Sequence, residues 1–175
     1  MRIVCQTGAV VEVPGQLGGS VLTGLDLHRA ILERASFVGT TFDRCSLRNA
    51  LCPLSTGAKA RFLGCSLIMA EFQAADLTGA FFDGGDAAHS DFTGANLSSA
   101  VFAHVRLESV SFRGSNLDDS DFSLAAVSGA LLEGAIYTPS TRWPAGFDPG
   151  SSGAILVGSQ TEVFRFLEGE SDDGD

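Results

Sequence analysis

Ala75-Asp76-Leu77-Thr78-Gly79 and, twenty residues on, Ala95-Asn96-Leu97-Ser98-Ser99 follow one five-residue pattern: a small residue, an acid or amide, then a leucine. Outward from this pair the pattern fills the stretch from Ala60 to Phe122. Its central positions are Phe62, Leu67, Phe72, Leu77 and Phe82, then Ala87, then Phe92, Leu97, Phe102, Leu107, Phe112, Leu117 and Phe122. Two residues before the centre stands something small, as in Cys65, Ala70, Ala80, Ser90 and Ala100. The register continues backwards through Leu47, Phe42, Phe37, Leu32, Leu27 and Leu22, and forwards through Val127, Leu132 and Tyr137. From Leu22 to Tyr137 that makes 24 units, three of them with a weak centre: Cys52, Gly57 and Ala87. Such a repeat decides the architecture before any single helix or strand is assigned.

A period of five suits neither regular element. A helix face recurs near every 3.6 residues and a strand face every 2, so a leucine at each fifth position of a helix buries no consistent face. The spacing makes sense when each unit is one side of a coil that turns a corner and repeats. Four units then close a square turn of 20 residues, and 24 units make six turns. Stacked at about 4.8 Å per turn, the column is about 29 Å tall. Positions 20 apart share a side on this reading. The first side reads Leu22, Phe42, Phe62, Phe82, Phe102, Phe122, and the second Leu27, Leu47, Leu67, Ala87, Leu107, Val127. The third reads Leu32, Cys52, Phe72, Phe92, Phe112, Leu132, and the fourth Phe37, Gly57, Leu77, Leu97, Leu117, Tyr137. Phe and Leu fall in alternate columns, which supports an even number of sides without proving four.

These residues resemble the pentapeptide-repeat family, whose unit is Ala-(Asp/Asn)-Leu-x-x with Leu or Phe at its centre. The resemblance covers Ser20 to about Pro139. It implies an all-β fold, a right-handed quadrilateral β-helix or solenoid of about six four-sided coils. The expected inward core includes Phe42, Leu47, Phe62, Leu67, Phe72, Leu77, Phe82, Phe92, Leu97, Phe102, Leu107, Phe112, Leu117 and Phe122. Departures from the pattern are the three weak centres and the bulky Val105 and Val110 at the small position.

The chain divides accordingly. Residues 1–19 read as an N-terminal cap, a hairpin of Arg2–Cys5 and Val10–Val13 closed at Pro14-Gly15, set over the open edge that a column of coils presents. Residues 20–139 are the coils, with a bulged side or surface loop expected between Leu51 and Ala60 around Pro53 and Gly57. Three prolines after Tyr137 are expected to end the coil. Residues 140–167 then form a C-terminal cap, in which Trp143 and Phe147 cover Leu132 and Tyr137. Ala154–Val157 and Val163–Leu167 read as a strand or short helix on it. Residues 168–175 are an acidic tail expected to be disordered.

Composition narrows function. The 175 residues carry a net charge of −10, which argues against direct nucleic-acid binding. No run of 18 apolar residues marks a membrane span, no signal peptide is read, and a cytoplasmic location follows as the default. Charge is segregated: Ser20 to Arg61 holds six basic against three acidic residues, and Phe62 to Pro139 two against ten. Cys45 and Cys65 occupy the small inward position one turn apart, within disulfide range or as buried thiols. No Cys-x-x-Cys or clustered histidine suggests a metal, and no glycine-rich phosphate loop suggests a cofactor. His28 and His89 fall on the second side and His104 on the first, so no catalytic constellation forms. Threonines line no single outer column, which disfavours an ice-binding face.

The expectation is a non-enzymatic protein-interaction module without metal or cofactor, whose partner is a protein. Self-association into a homodimer is one form of this. Leu63, Phe81 and Val101, apolar at outward positions of the first side, are the candidate contact, with Asp83, Asp86 and Asp91 as the candidate acidic contact. The family resemblance implies an alternative: an acidic rod that mimics DNA, binds a type II topoisomerase such as DNA gyrase and protects it from inhibitors.

Overall fold

Each unit makes one straight edge and one corner. At Phe92 the backbone N–H donates to the Ser111 carbonyl (2.8 Å), and the Gly94 N–H to that of Arg113 (2.8 Å), both in the following coil. The Asp91 N–H donates to the Ala70 carbonyl (2.9 Å) in the preceding coil. The Ala95 N–H then turns back to the Phe92 carbonyl (3.0 Å) and closes a tight turn. The third residue of such a turn needs a positive φ. Glycine supplies it at Gly79 and Gly94, and thirteen non-glycine residues supply it elsewhere, from Arg29 at 56° to Asp119 at 57°. From Gly24 to Gly134 the corners therefore carry a glycine or a residue at positive φ, with Leu124 as the exception.

The computed structural model describes residues 1–13 and 15–158. Its described part is a β-solenoid without α-helix. On the first side five short strands stack in parallel at a register of 20 residues: β3 (Val21–Thr23), β4 (Thr41–Asp43), β5 (Arg61–Leu63), β6 (Phe81–Asp83) and β7 (Val101–Ala103). The other sides stack through single parallel bridges, such as Ser66 with Asp86, Asp91 with Ser111 and Asn96 with Asn116. Two phenylalanine columns fill the interior. On the first side Phe42, Phe62, Phe82, Phe102 and Phe122 stack face to face at 4.6–5.1 Å. On the third side Phe92 lies between Phe72 (5.1 Å) and Phe112 (5.5 Å). The columns meet edge-on, Phe82 against Phe92 at 6.0 Å and 86°. Ring edge against ring face across the interior is the pairing that the aromatic quadrupole favours. It places the phenylalanine sides opposite one another, as a four-sided coil requires.

The bulge expected at Leu51–Ala60 is absent. Leu51 bridges Ile31 and Glu71, and Thr56 bridges Ser36 and Asp76. The N–H groups of Cys52 and Gly57 donate to Glu71 and Asp76 at 2.7 Å, as any unit does. The reason lies in volume. A Cβ at Gly57 would sit 2.1 Å from the Phe37 ring, so the ring of the coil before occupies the place of the missing side chain. Phe37 also packs edge-on against Phe42 (5.8 Å) and Phe62 (6.3 Å). A weak centre is thus compensated by a large neighbour and the backbone ladder continues.

At the N-terminus β1 (Arg2–Val4) and β2 (Val10–Glu12) form an antiparallel hairpin. Ile3, Cys5 and Val13 from this region join the apolar core, together with Leu17, one unit before Leu22. Pro14 lies outside the described residues. At the other end the coil does not stop at Tyr137 as the prolines suggested. The Phe122 N–H donates to the Arg142 carbonyl (2.7 Å), and Trp143 stacks on Phe122 at 4.9 Å and 7°, prolonging the first column. The interval there is 21 residues, and the Thr141 N–H donation to the Thr138 carbonyl (3.0 Å) closes a turn that has shifted by one residue. Proline lacks an N–H, yet Pro139 stands at a corner where no ladder bond is required. Trp143 also meets Tyr137 (5.8 Å) and Phe147 (5.3 Å). After a short 3-10 turn at Gly150–Ser152, β9 (Ile155–Leu156) pairs in parallel with β8 (Ile136–Tyr137). Eight levels from Leu17 to Leu156 thus stack on the fourth side, about seven turns in all. Val163–Leu167 and the acidic tail lie outside the described residues.

Candidate interaction face

The first side is the most regular wall, and its three-residue strands point the middle side chain inward and the flanking two outward. Two outer columns result. One runs Val21, Thr41, Arg61, Phe81, Val101, and the other Thr23, Asp43, Leu63, Asp83, Ala103. Phe81 therefore stands directly beside Val101, and Leu63 beside Asp83 in the neighbouring column. Phe81, Val101 and Leu63 are all half-buried; Phe81 and Val101 are direct neighbours, while Leu63 stands in the other column between Asp43 and Asp83. Sequence alone did not place Arg61 there. Its guanidinium lies 4.8 Å from the centre of the Phe81 ring, a cation held over an aromatic face. Below it Arg44 pairs with Asp43 at 3.0 Å, and this hydrogen-bonded carboxylate raises the Arg44 pKa. The Ala154–Val157 segment, a candidate cover for the patch, runs on the fourth side instead, because β9 pairs with β8 there.

The three candidate acids do not share a face. Asp83 is on the first side, Asp86 on the second and Asp91 on the third. Two of them are occupied. Asp86 binds Arg106 (3.1 Å) and accepts the Ala88 N–H (3.0 Å). Asp91 accepts the Thr93 N–H (2.9 Å) and the Gln73 amide (2.9 Å). The same local bond recurs where Asp or Asn precedes the centre, from the His28, Thr78, Ser98, Asp118 and Ser123 N–H groups to the side chains of Asp26, Asp76, Asn96, Asn116 and Asp121, and not at Glu71. It is an Asx-type turn that braces the corner, and it explains the Asp/Asn preference of the unit. At Asp121 burial pushes the carboxyl up, but the Ser123 hydrogen bonds and the Arg142 charge outweigh it and leave it below its ordinary value.

The remaining chemistry-bearing residues are dispersed. All four cysteines are free and buried, so the thiol alternative holds for Cys45 and Cys65. Their Sγ–H groups donate to the Leu22 (3.3 Å) and Phe42 (3.2 Å) carbonyls. Burial pushes Cys65 up to about 11 and raises Cys52 further. No cluster of ligating side chains fit for a metal occurs among the described residues. No helix among them is long and apolar enough to cross a membrane.

A family profile for pentapeptide repeats, in eight copies, matches residues 16–49, 58–94, 70–108 and 95–134. The chain belongs to the pentapeptide-repeat family. No curated protein matches it. Solved structures of similar fold include Rfr23 from the cyanobacterium Cyanothece 51142, a pentapeptide repeat protein. It is 16% identical, with 73% of this chain and 90% of that one covered and a TM-score of 0.47. QnrB1, a plasmid-mediated fluoroquinolone resistance protein, is 17% identical over 93% of this chain and 96% of its own, with a TM-score of 0.45. HetL of the cyanobacterium Nostoc, a pentapeptide repeat protein involved in heterocyst differentiation regulation, is 19% identical over 81% and 87%, with a TM-score of 0.32. In this pentapeptide-repeat chain most inward positions follow the pattern of the unit, and Cys52, Gly57, Ala87, Val105 and Val110 depart from it.

Proposed function

We propose that the chain is a non-enzymatic protein-interaction module that meets its partner, or a second copy of itself, through the first side, with Leu63, Phe81 and Val101 at the centre of the contact. The observation that carries this is the adjacency of Phe81 and Val101 in neighbouring strands. Outward positions of a solenoid face water, and a contiguous apolar group on such a wall marks an interface more often than a scatter of single residues does. Arg61 over Phe81 and the neighbouring Asp83 supply the polar rim that interfaces carry around an apolar centre. Phe81→Asp tests it. The variant is expected to keep the circular dichroism and melting temperature of the native chain while losing self-association in ultracentrifugation or partner capture from the native host. A chain that is monomeric before and after, with capture unchanged, overturns the reading.

The topoisomerase reading draws on one observation, the excess of ten acidic over two basic residues between Phe62 and Pro139. A DNA mimic needs carboxylates free to meet a basic groove, whereas Asp86 and Asp91 are tied into local bonds. Micromolar protein should alter gyrase supercoiling or its quinolone inhibition if this reading holds, and Lys at positions 83, 86 and 91 should abolish the effect. No effect from folded protein removes it for the gyrase tested.

A further inference from the structure

Two rows of residues on the first side carry opposite charges at their two ends. One runs Arg61, Phe81, Val101, Asp121, each residue bridged to the next in the parallel stack. The other stands at the corner that leads into this side, two residues earlier in each coil: Lys59, Gly79, Ser99, Asp119. These corner residues share one left-handed conformation, with φ of 58°, 62°, 57° and 57°. They also lean on one another. A Cβ at Gly79 would stand 3.7 Å from Lys59 Cγ, and the Ser99 hydroxyl donates to Asp119 Oδ2 at 3.4 Å. Each row therefore begins with a cation, passes through two uncharged residues and ends with a carboxylate. Both rows have the same midpoint, between the coils of Phe82 and Phe102.

The charges at these ends are open to a partner. Lys59 and Asp119 are exposed, and neither has an ion-pair partner among the described residues. Arg61 has none there either, and its guanidinium lies over the Phe81 ring. Asp121 accepts Arg142 (2.7 Å) and the Ser123 N–H (2.9 Å), so it is the more shielded of the two carboxylates. Farther out the wall is neutralised within the chain, Asp43 with Arg44 at 3.0 Å.

A second copy can lie face to face on this wall with twofold symmetry in two ways. With the solenoids parallel, the axis exchanges the two outer columns. Phe81 then falls on the partner's Asp83, and a carboxylate pressed against a ring loses its water without gaining a hydrogen bond. With the solenoids antiparallel, each row falls on itself reversed. Phe81 meets the partner's Val101, Lys59 the partner's Asp119 and Arg61 the partner's Asp121, and symmetry makes each pair twice. Asp83 faces the partner's Ala103 in the neighbouring column. A slip of one coil leaves Lys59 on the partner's Ser99, its charge unmet. We infer that the occupant of the first side is a second copy of this chain, packed antiparallel about the midpoint of Phe81 and Val101. This rests on the reading of that side as an interaction face, and adds the partner and its orientation.

Sedimentation equilibrium of the full chain tests it. A dimer is expected, weaker at high salt because its ends are ionic. Lys59→Glu and Asp119→Lys, both at exposed positions, should each weaken it by about fivefold or more with circular dichroism unchanged. An equimolar mixture of these two variants should dimerise about as well as the native chain, because each then carries the charge the other needs at both ends of the contact. Phe81→Asp should abolish the dimer. A dimer that survives Phe81→Asp removes the interaction face and this inference together. A dimer that Phe81→Asp breaks, with the mixture no tighter than its components, keeps the face and overturns the antiparallel pairing. A native chain that is monomeric at every concentration tested overturns the second copy as occupant, and the face then stands only if Phe81→Asp abolishes capture of another protein.

Discussion

Phe81 and Phe82 are adjacent in the chain and belong to opposite worlds. Phe82 stacks between Phe62 (4.8 Å) and Phe102 (4.6 Å) and is 1% exposed. Phe81 stands half-buried on the outer wall, with Val101 beside it and Arg61 above its ring. Residue type does not separate them; position in the unit does. The inner column is held by its neighbours in every direction, so its identity is set by packing. The outer column meets only the levels before and after it, so its identity is free to serve a partner.

The comparison breaks most clearly on truncation. Phe82→Ala leaves a void between two stacked rings and is expected to cost about 3–5 kcal/mol, against under about 1 kcal/mol for Phe81→Ala. Denaturant unfolding of the two variants decides, and equal losses end the inner–outer distinction. The same logic places Phe92→Ala with the large losses and outward Thr93→Ala with the small ones.

Overfilling sharpens it next. Gly57→Leu forces a side chain into space held by the Phe37 ring and is expected to cost about 1–3 kcal/mol. Adding Phe37→Ala should recover part of that loss, since each side chain then occupies the room the other vacates. A double variant as unstable as the sum of the singles contradicts the compensation.

Corner bracing comes third. Asn96→Ala removes the acceptor of the Ser98 N–H and should cost about 1 kcal/mol, whereas Asp83→Ala, whose carboxylate braces no corner, should fall within about 0.5 kcal/mol. Thermal melts compare them directly, and a larger loss at Asp83 assigns that residue a structural role instead.

At neutral pH the smallest effect comes from Cys65, whose contribution shows only at alkaline pH. Cys65 ionises at about 11 in the folded chain against 9.0 for a free thiol, so its neutral form is favoured by folding. Stability is then intact below pH 9 and falls between pH 9 and 11, as the unfolded thiolate gains what the buried one cannot. Cys65→Ala should flatten that part of the curve, and native chain at neutral pH should resist thiol reagents until denaturant is added.

The ending of the coil was the least legible part of the chain. Three prolines suggested a stop because proline interrupts a ladder, yet the bonds skip the corner at Pro139 and resume at Arg142. A local rule applies to the position a residue takes, and an insertion of one residue moves that position. Likewise Gly57 looked like a gap, and only the ring of Phe37, a full turn earlier, showed that it was filled.

The sequence by itself determined the period, an even number of columns and which positions point inward, and the stacking register of 20 residues then fixed the number of sides at four. The tertiary structure alone decided what lies between positions far apart in the chain: Arg61 on Phe81, Trp143 on Phe122, the Asp carboxylates turned into their own corners, and a first strand with no neighbour at Val21. These depend on distances across coils and on volumes that must match. A repeat unit carries neither, because each unit is written without reference to the one that will lie against it.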